Sequence, residues 1–527
     1  MLTQTPPAPT PVNHRDRSAY VWLLVAAALF ALTAGRWTFA PAAWLAPLFL
    51  LHFLRNRAVV SGLLLALLAR YLVAATVVLP GTVLLTGARY YLSVLLIITA
   101  AMLPFAADRL LAPRLPGFAA TLVFPVALVS LEYLISFGPT GTTNSFANSQ
   151  YGDLPLMQLA SVTGIWGITF LIGWFASVAS WAWERGFVWP RIRTGTALYA
   201  AVLVVVFLAG AARVALTSPA QRVVRVAAIS ASKSAVAATS GLLTPATVGA
   251  LEAGTATAAQ RASAREAFTR LDDDLLAGSA QQAQGGAQII AWPEASAVGA
   301  GVLQEDRSAF LQQAAALARQ HHIYLELGIG VFLPSSARPP YLEDQSVLMD
   351  PAGRIAWSYE KTHLVPFGEQ GVVVPGNGRL PMSDSDFGRL AGAICFDQDF
   401  PTMMRQAGRA GADILIGPSN DWRAIAPAHD DASTFRAVEN GYSLLRPASN
   451  GLSLAVDYRG QVRAASDYFA APDRQVLTAT LPTHGVRTIY SRIGDVFAWI
   501  CLAGLAGLVL LDLAARRRPA SQGQRRP

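Results

Sequence analysis

Apolar positions fall into two regimes along this chain. From Tyr20 to Arg213 they run on with little interruption, in segments at about 20–35, 41–54, 59–86, 91–107, 117–137, 164–183 and 196–213, and an eighth run covers 494–514. Crossing a bilayer takes roughly 20 apolar residues in a helix, so the pattern predicts eight spans, the second and fourth of them short. Between the seventh and eighth runs the period changes. Val223–Ile229, Ala287–Trp292, Ile323–Phe332, Ser346–Met349, Ile355–Tyr359, Leu390–Ile394 and Ala412–Ile416 read as strands, each ending near Gly, Pro, Asn or Asp. Asp350-Pro351-Ala352-Gly353 and Asp457-Tyr458-Arg459-Gly460 read as hairpin turns. Ala262–Leu276, Asp306–Gln320 and His429–Leu445 read as helices, the last with Phe435, Val438, Tyr442 and Leu445 at helical spacing. Ser230 to Gln260 is rich in Ala, Ser and Thr without a period and is predicted to be a loop or arm. Strands followed by helices within one segment predict a layered α/β sandwich.

The predicted organisation is therefore an N-terminal tail at 1–19, a membrane domain of about seven helices at 20–215, a soluble domain at 222–485, a C-terminal span at 494–514 and a basic tail at 515–527. Composition agrees: the 527 residues are 53% hydrophobic and 14% charged, where soluble proteins carry about a quarter charged residues. If all eight runs cross, both ends share one side. On that side lie Arg15, Arg17, Arg55, Arg57, Arg109, Arg114, Arg185, Arg191, Arg193, Arg516, Arg517, Arg518, Arg525 and Arg526; opposite them are little more than Arg36, Arg89 and Arg213. Positive loops stay cytoplasmic, which places the soluble domain outside the cytoplasm. The net charge of +8 is thus assigned to membrane topology, and no nucleic-acid partner is expected. The first span follows a polar, Pro-rich start without a small-residue cleavage site and is read as an anchor. Arg70 and Glu132 fall inside spans, where an ionisable group is costly unless paired: Arg70 is read either as functional or as snorkelling, and Glu132 as a contact to the loop after it. That loop, Phe137 to Gly164, carries no Lys or Arg.

Two cysteines, Cys395 and Cys501, exclude a disulfide framework, and no zinc-ligand spacing, phosphate loop or internal repeat is present. No metal or cofactor is expected. The chemistry is read from Cys395, at the end of a predicted strand. A free thiol ionises near pH 8.5, so a strong nucleophile needs an adjacent base. Glu294, at a strand end in Ala-Trp-Pro-Glu, suits that base, and Lys361, in Tyr-Glu-Lys-Thr-His, can stabilise the oxyanion formed when the thiol attacks a carbonyl.

Trp292-Pro293-Glu294, the run Glu360-Lys361-Thr362-His363-Leu364-Val365-Pro366-Phe367-Gly368-Glu369, Ile394-Cys395-Phe396-Asp397 and Ser419-Asn420-Asp421-Trp422 resemble signatures of the nitrilase superfamily. The lysine run specifically resembles its membrane-bound branch, the apolipoprotein N-acyltransferases. Similar to that branch are also Arg436 to Gly441, Arg446 to Gly451, Pro155 to Ala160 with Gly164 to Gly167, and Thr488 to Asp495. Where the branch has Tyr and Glu after the nucleophile, this chain has Phe396 and Asp397.

The resemblance implies a four-layer αββα sandwich tied to a multi-pass helical domain in the bacterial inner membrane, with the catalytic domain on the periplasmic side. It implies that Cys395 takes an acyl chain from a phospholipid as a thioester and passes it to the α-amine of a diacylglyceryl-modified lipoprotein cysteine. Glu294 would carry protons, Lys361 would stabilise the tetrahedral species, Glu369 would orient Lys361, and Phe396 and Asp397 would support the nucleophile. The same three residues would also serve a membrane-anchored amidase or nitrilase-type hydrolase, in which water attacks the thioester.

Overall fold

The structure, a computed structural model, describes residues 18–216, 222–294 and 300–517. Arg15, Arg17, Arg518, Arg525 and Arg526 lie outside the described residues, as does the segment 295–299 that follows Glu294.

Each predicted apolar run is helical. Among the described residues, six helices are long and apolar enough to cross a membrane: Val59–Val78, Gly87–Arg114, Gly117–Ile135, Ile165–Glu184, Trp189–Leu216 and Val496–Ala514. The first two runs make shorter helices, Ser18–Phe30 and Ala40–Arg55, of 13 and 16 residues. At 1.5 Å per residue these reach about 20 and 24 Å, less than the ~30 Å hydrocarbon core. They pack on each other through Leu23, Phe30, Leu50 and Leu51. Glu132 accepts hydrogen bonds from Ser145 Oγ at 2.7 Å, Thr169 Oγ1 at 2.8 Å and Phe146 N at 2.9 Å, so this intramembrane carboxyl does anchor the loop after its own helix. Arg70 does not snorkel: its guanidinium lies 4.1 Å from the Phe30 ring and 5.7 Å from that of Phe105, an attraction to aromatic faces that strengthens away from water.

The soluble part is built on two sheets. The first runs in the order Val476–Pro482, Val223–Ile229, Ile289–Ala291, Tyr324–Phe332, Leu342–Met349, Ile355–Glu360, with Gly301–Leu303 pairing alongside Tyr324–Phe332. The second runs Val462–Asp467, Leu452–Val456, Ser443–Arg446, Ile414–Ile416, Gly388–Gly392, Met382–Ser385. Val226, Ile289 and Leu348 on the first meet Leu390, Ile414, Leu444 and Val456 on the second in one core. The outer face of the first, with Ile290, Leu325 and Leu327, is covered by Phe268 and Leu271 of helix Ala258–Gln284 and by Phe310 and Ala314 of helix Arg307–His321. Helices Pro401–Ala410 and Ala426–Asn440 cover the second sheet. The layering is helix, sheet, sheet, helix. Every residue of Tyr324–Phe332 is buried, as expected of a strand covered on both faces.

Both predicted turns close hairpins, with Gly353 N–H on Asp350 O and Gly460 N–H on Asp457 O, each at 2.8 Å. Two expectations need correcting. The Ser230–Gln260 segment is no loose arm: it forms helices Lys233–Thr239 and Pro245–Glu252 and leads into Ala258–Gln284. Ser232, Thr244 and Thr257 cap these three N-termini, their side chains accepting from Ala235, Thr247 and Gln260 N–H and satisfying otherwise orphaned donors. The predicted helix His429–Leu445 stops at Asn440, because Gly441 adopts φ +79° and ends the helix in a left-handed cap. Leu445 instead lies in a strand parallel to Ile414–Ile416.

Candidate active site

Glu294, Lys361 and Cys395 follow the C-terminal ends of Ile289–Ala291, Ile355–Glu360 and Gly388–Gly392, the end of an α/β sheet where ligands bind. Lys361 is fully buried, and its Nζ lies 2.6 Å from Glu294 Oε1 and 2.6 Å from Glu369 Oε1. Burial opposes the ammonium, but Glu294 and Glu369 outweigh it and hold Lys361 well above its ordinary value. The second oxygens are also fixed: Glu294 Oε2 accepts Asn420 N–H at 2.7 Å and Glu369 Oε2 accepts Val365 N–H at 2.8 Å. Glu369, three residues after Pro366, thus closes that loop back onto the lysine.

Cys395 occupies a left-handed backbone position, φ +43°, and donates its N–H to Pro418 O at 2.7 Å. A non-glycine residue there costs about 1–3 kcal/mol and is kept where surrounding structure enforces it. Asp397 does the enforcing. Its carboxylate accepts Tyr359 OH at 2.7 Å, His363 N–H at 2.8 Å and Ile394 N–H at 3.2 Å, tying the nucleophile turn to the lysine strand. The shorter Asp therefore reaches every donor, and its role is to shape the turn. Phe396 packs edge-on against Phe400, with ring centroids 5.3 Å apart. Burial pushes the Cys395 thiol well above its ordinary value, the Glu294 charge adds to this, and Lys361 opposes it.

The structure adds a group that the chain's linear order gave no reason to join to Cys395. One atom each of Cys395, Asp421 and His429 lie within 4.8 Å of one another. His429 pairs with Asp421 at 3.1 Å and faces Asp399 at 3.6 Å; burial opposes its charge, and Asp399 and Asp421 together raise its pKa. Arg446 clamps Asp421 with two bonds of 2.9 and 2.8 Å and Asp430 with one of 2.6 Å. The signal available in sequence was the Ser419–Trp422 run, which, like the other site residues, follows a buried strand.

The membrane domain reaches this site directly. Thr142 N–H and Oγ1 donate to Asp399 O at 2.9 and 2.8 Å, and Trp422 Nε1 donates to Gly81 O at 2.6 Å. Between the two parts lies a cavity of about 1040 Å³, its open mouth included, walled by Leu79, Leu84 and Ile97 on the membrane side and by Val365, Phe396 and His429 on the catalytic side.

Residues 26–178 match the apolipoprotein N-acyltransferase N-terminal domain family, and residues 249–490 match the carbon–nitrogen hydrolase family. An apolipoprotein N-acyltransferase of Geobacter metallireducens is 29% identical over 427 residues, 76% of this chain and 75% of its relative. The chain belongs to the apolipoprotein N-acyltransferase family. Another member, from Gloeobacter violaceus, is 33% identical over 203 residues, 34% of this chain and 37% of that one. Among solved structures, an amidase from Nesterenkonia sp. aligns with a TM-score of 0.37 at 22% identity, covering 51% of this chain and 92% of that one. Three of the family motifs that touch no triad residue, Gly164 to Gly167, Arg436 to Gly441 and Thr488 to Asp495, meet at one seam between the domains. Ile165 N–H donates to Glu439 Oε1 at 2.8 Å, Trp166 Nε1 to Asp495 Oδ1 at 2.8 Å and Tyr490 OH to the same Asp495 oxygen at 2.8 Å.

Proposed function

We propose that this protein N-acylates bacterial lipoproteins, drawing the acyl chain from a phospholipid and carrying it on Cys395. In the first half-reaction Glu294 takes the Sγ proton as the sulfur attacks the ester carbonyl, Lys361 stabilises the oxyanion, and Glu294 returns the proton to the departing lysophospholipid alcohol. In the second, the α-amine of a diacylglyceryl cysteine attacks the thioester, and Glu294 accepts its proton and returns it to the departing Sγ, leaving an amide and a free thiol. The observation that carries this reading is the joint wall of the cavity: apolar Leu79, Leu84 and Ile97 from the membrane domain on one side, Phe396 from the turn at Cys395 and His429 from helix Ala426–Asn440 on the other. A water-soluble amide would need no such wall.

We place the catalytic domain on the periplasmic face of the inner membrane. The described basic residues support this. Arg55 pairs with Asp108 at 2.8 Å and with Glu184 at 3.2 Å, and Arg114 with Asp512 at 3.1 Å, all at the end of the helical bundle away from the Gly81, Thr142 and Ile165 contacts to the catalytic domain.

The test is intact-mass measurement of the detergent-solubilised protein after exposure to phospholipid, followed by addition of a diacylglyceryl peptide. The expected result is a fatty acyl adduct on Cys395, lysophospholipid released with it, and then an N-acylated peptide; Cys395→Ala forms none of these. Free fatty acid in place of acylated peptide would identify a hydrolase and overturn the proposal.

A further inference from the structure

Lys361 is ringed by more negative charge than it balances. One oxygen each of Glu294, Asp344 and Glu369 lie within 4.8 Å of one another, and Asp344 Oδ2 is 3.8 Å from Lys361 Nζ. The lysine ammonium occupies the place a cation would take among three carboxylates. The Lys361 side chain is 0% exposed, that of Glu294 3% and that of Asp344 7%. Three ionised carboxyls against one ammonium would leave two uncompensated charges out of water, each costing several kcal/mol. A buried group in that position keeps a proton instead.

The hydrogen bonds single out which carboxyl keeps it. Glu294 and Glu369 each have one oxygen on the ammonium and the other on a backbone N–H. All four oxygens are met by donors, which suits the ionised form. Asp344 has neither arrangement: one oxygen stands off from Nζ, and Oδ1 has no hydrogen-bond partner. Its surroundings from each packed element are Glu294 from the turn after Ile289–Ala291, Lys361 from the end of the adjacent strand, Glu369 from the loop beyond it, and uncharged Gly330 across the other strand pair. Glu326, buried four residues back on that last strand, brings no compensating positive charge.

We propose that Asp344 is a positioning residue of the acyl-transfer site, a neutral carboxylic acid that faces Glu294 and keeps it ionised and ready to receive the Cys395 proton. Burial, reinforced by the Glu294 charge, pushes Asp344 well above the ordinary carboxylate range, with Lys361 only partly opposing. Neutral Asp344 leaves the cluster with one net negative charge at rest. During attack one proton passes from Sγ to Glu294 and the negative charge passes to the substrate oxyanion beside Lys361; Asp344 keeps its proton throughout. An ionised Asp344 would add a second negative charge and oppose formation of the oxyanion. This inference rests on the triad roles proposed above.

The experiment follows the rate of Cys395 acylation by phosphatidylethanolamine in detergent, by intact mass, across acid to alkaline pH. Wild type should slow on the alkaline side as Asp344 ionises. Asp344→Ala should lose loading by about a hundredfold, and Asp344→Asn, the uncharged isostere, should recover to within about fivefold of wild type, without the alkaline fall. An Asn variant no better than Ala, or one whose pH profile superimposes on wild type, overturns the proposal. Infrared difference spectra of wild type minus Asp344→Asn, taken without lipid, should contain a protonated-carboxyl stretch at neutral pH, and its absence also overturns the proposal. Should that band be present while wild type never acquires an acyl chain, the triad roles fail and the protonation of Asp344 stands.

Discussion

Lys361 shows why a buried cation in this site is both chemical and structural. It pairs with both Glu294 and Glu369 at 2.6 Å, and removing one partner of a buried pair leaves the others unpaired at a cost of about 3–5 kcal/mol. Lys361→Met should therefore abolish acyl loading and also lower the thermal midpoint in detergent by several degrees, whereas Cys395→Ala should abolish loading with little change in midpoint. Glu326 gives a separate pH signature. Burial pushes it up to about 8, the Ser346 hydroxyl pulling the other way. Its folded value lies above the ordinary 4.5, so the folded protein holds this proton more tightly than the unfolded chain. The associated stability is complete below the unfolded value and is lost as pH rises through the folded one. Glu326→Gln should raise the thermal midpoint more at about pH 9 than at about pH 5; an equal effect at both would show that the carboxyl is not neutral in the folded protein. Glu294, Lys361, Cys395 and Glu369 were legible in the chain because each follows a strand end or sits in a short, specific motif. Asp344 and His429 were not, because what distinguishes them is distance through space to groups up to 50 positions away in the sequence.

Strands of the soluble domain were legible where apolar runs are short and bounded, as at Val223–Ile229 and Ile355–Glu360. Segments whose signal is capping proved harder to read. The helices between Ser232 and Gln260 have small side chains and no hydrophobic period, yet three Ser and Thr caps start them. Conversely, apolar spacing carried the predicted helix past Gly441 into a strand, since a period of three to four residues cannot register a backbone reversal. Gly441 tests this. A Cβ there would meet Val486 O at 1.9 Å, at φ +79°. Gly441→Ala should destabilise the catalytic domain by at least ~1–3 kcal/mol, readable as faster proteolysis between helix Ala426–Asn440 and strand Ser443–Arg446.

The two short N-terminal helices form a hairpin, so whether that pair crosses or dips into the membrane leaves the sidedness of everything after it unchanged. The catalytic and membrane parts are joined by polar seams at Gly81, Thr142 and Ile165 and enclose a cavity between them, to which Leu79, Leu84, Ile97, Val365 and Phe396 contribute apolar wall. Filling it should select among donors by size. Ile97→Trp should cut acylation by long-chain phospholipid by about tenfold or more, a barrier change of roughly 1.4 kcal/mol, while thiol acylation by a short-chain activated ester stays within about twofold of wild type. Equal losses with both would remove the cavity from the donor's path.

Hydropathy and motif spacing were enough to establish a membrane-tied α/β enzyme and to single out the residues proposed for its chemistry, because burial in lipid, strand ends and turn residues leave local marks on a chain. Packing alone decided which carboxyls crowd the lysine, that Asp397 shapes the turn at Cys395, and that Ile165, Trp166, Glu439, Tyr490 and Asp495 form a docking seam. These are sums of distances between distant segments, and pairwise electrostatics and excluded volume exist only once the segments are brought together.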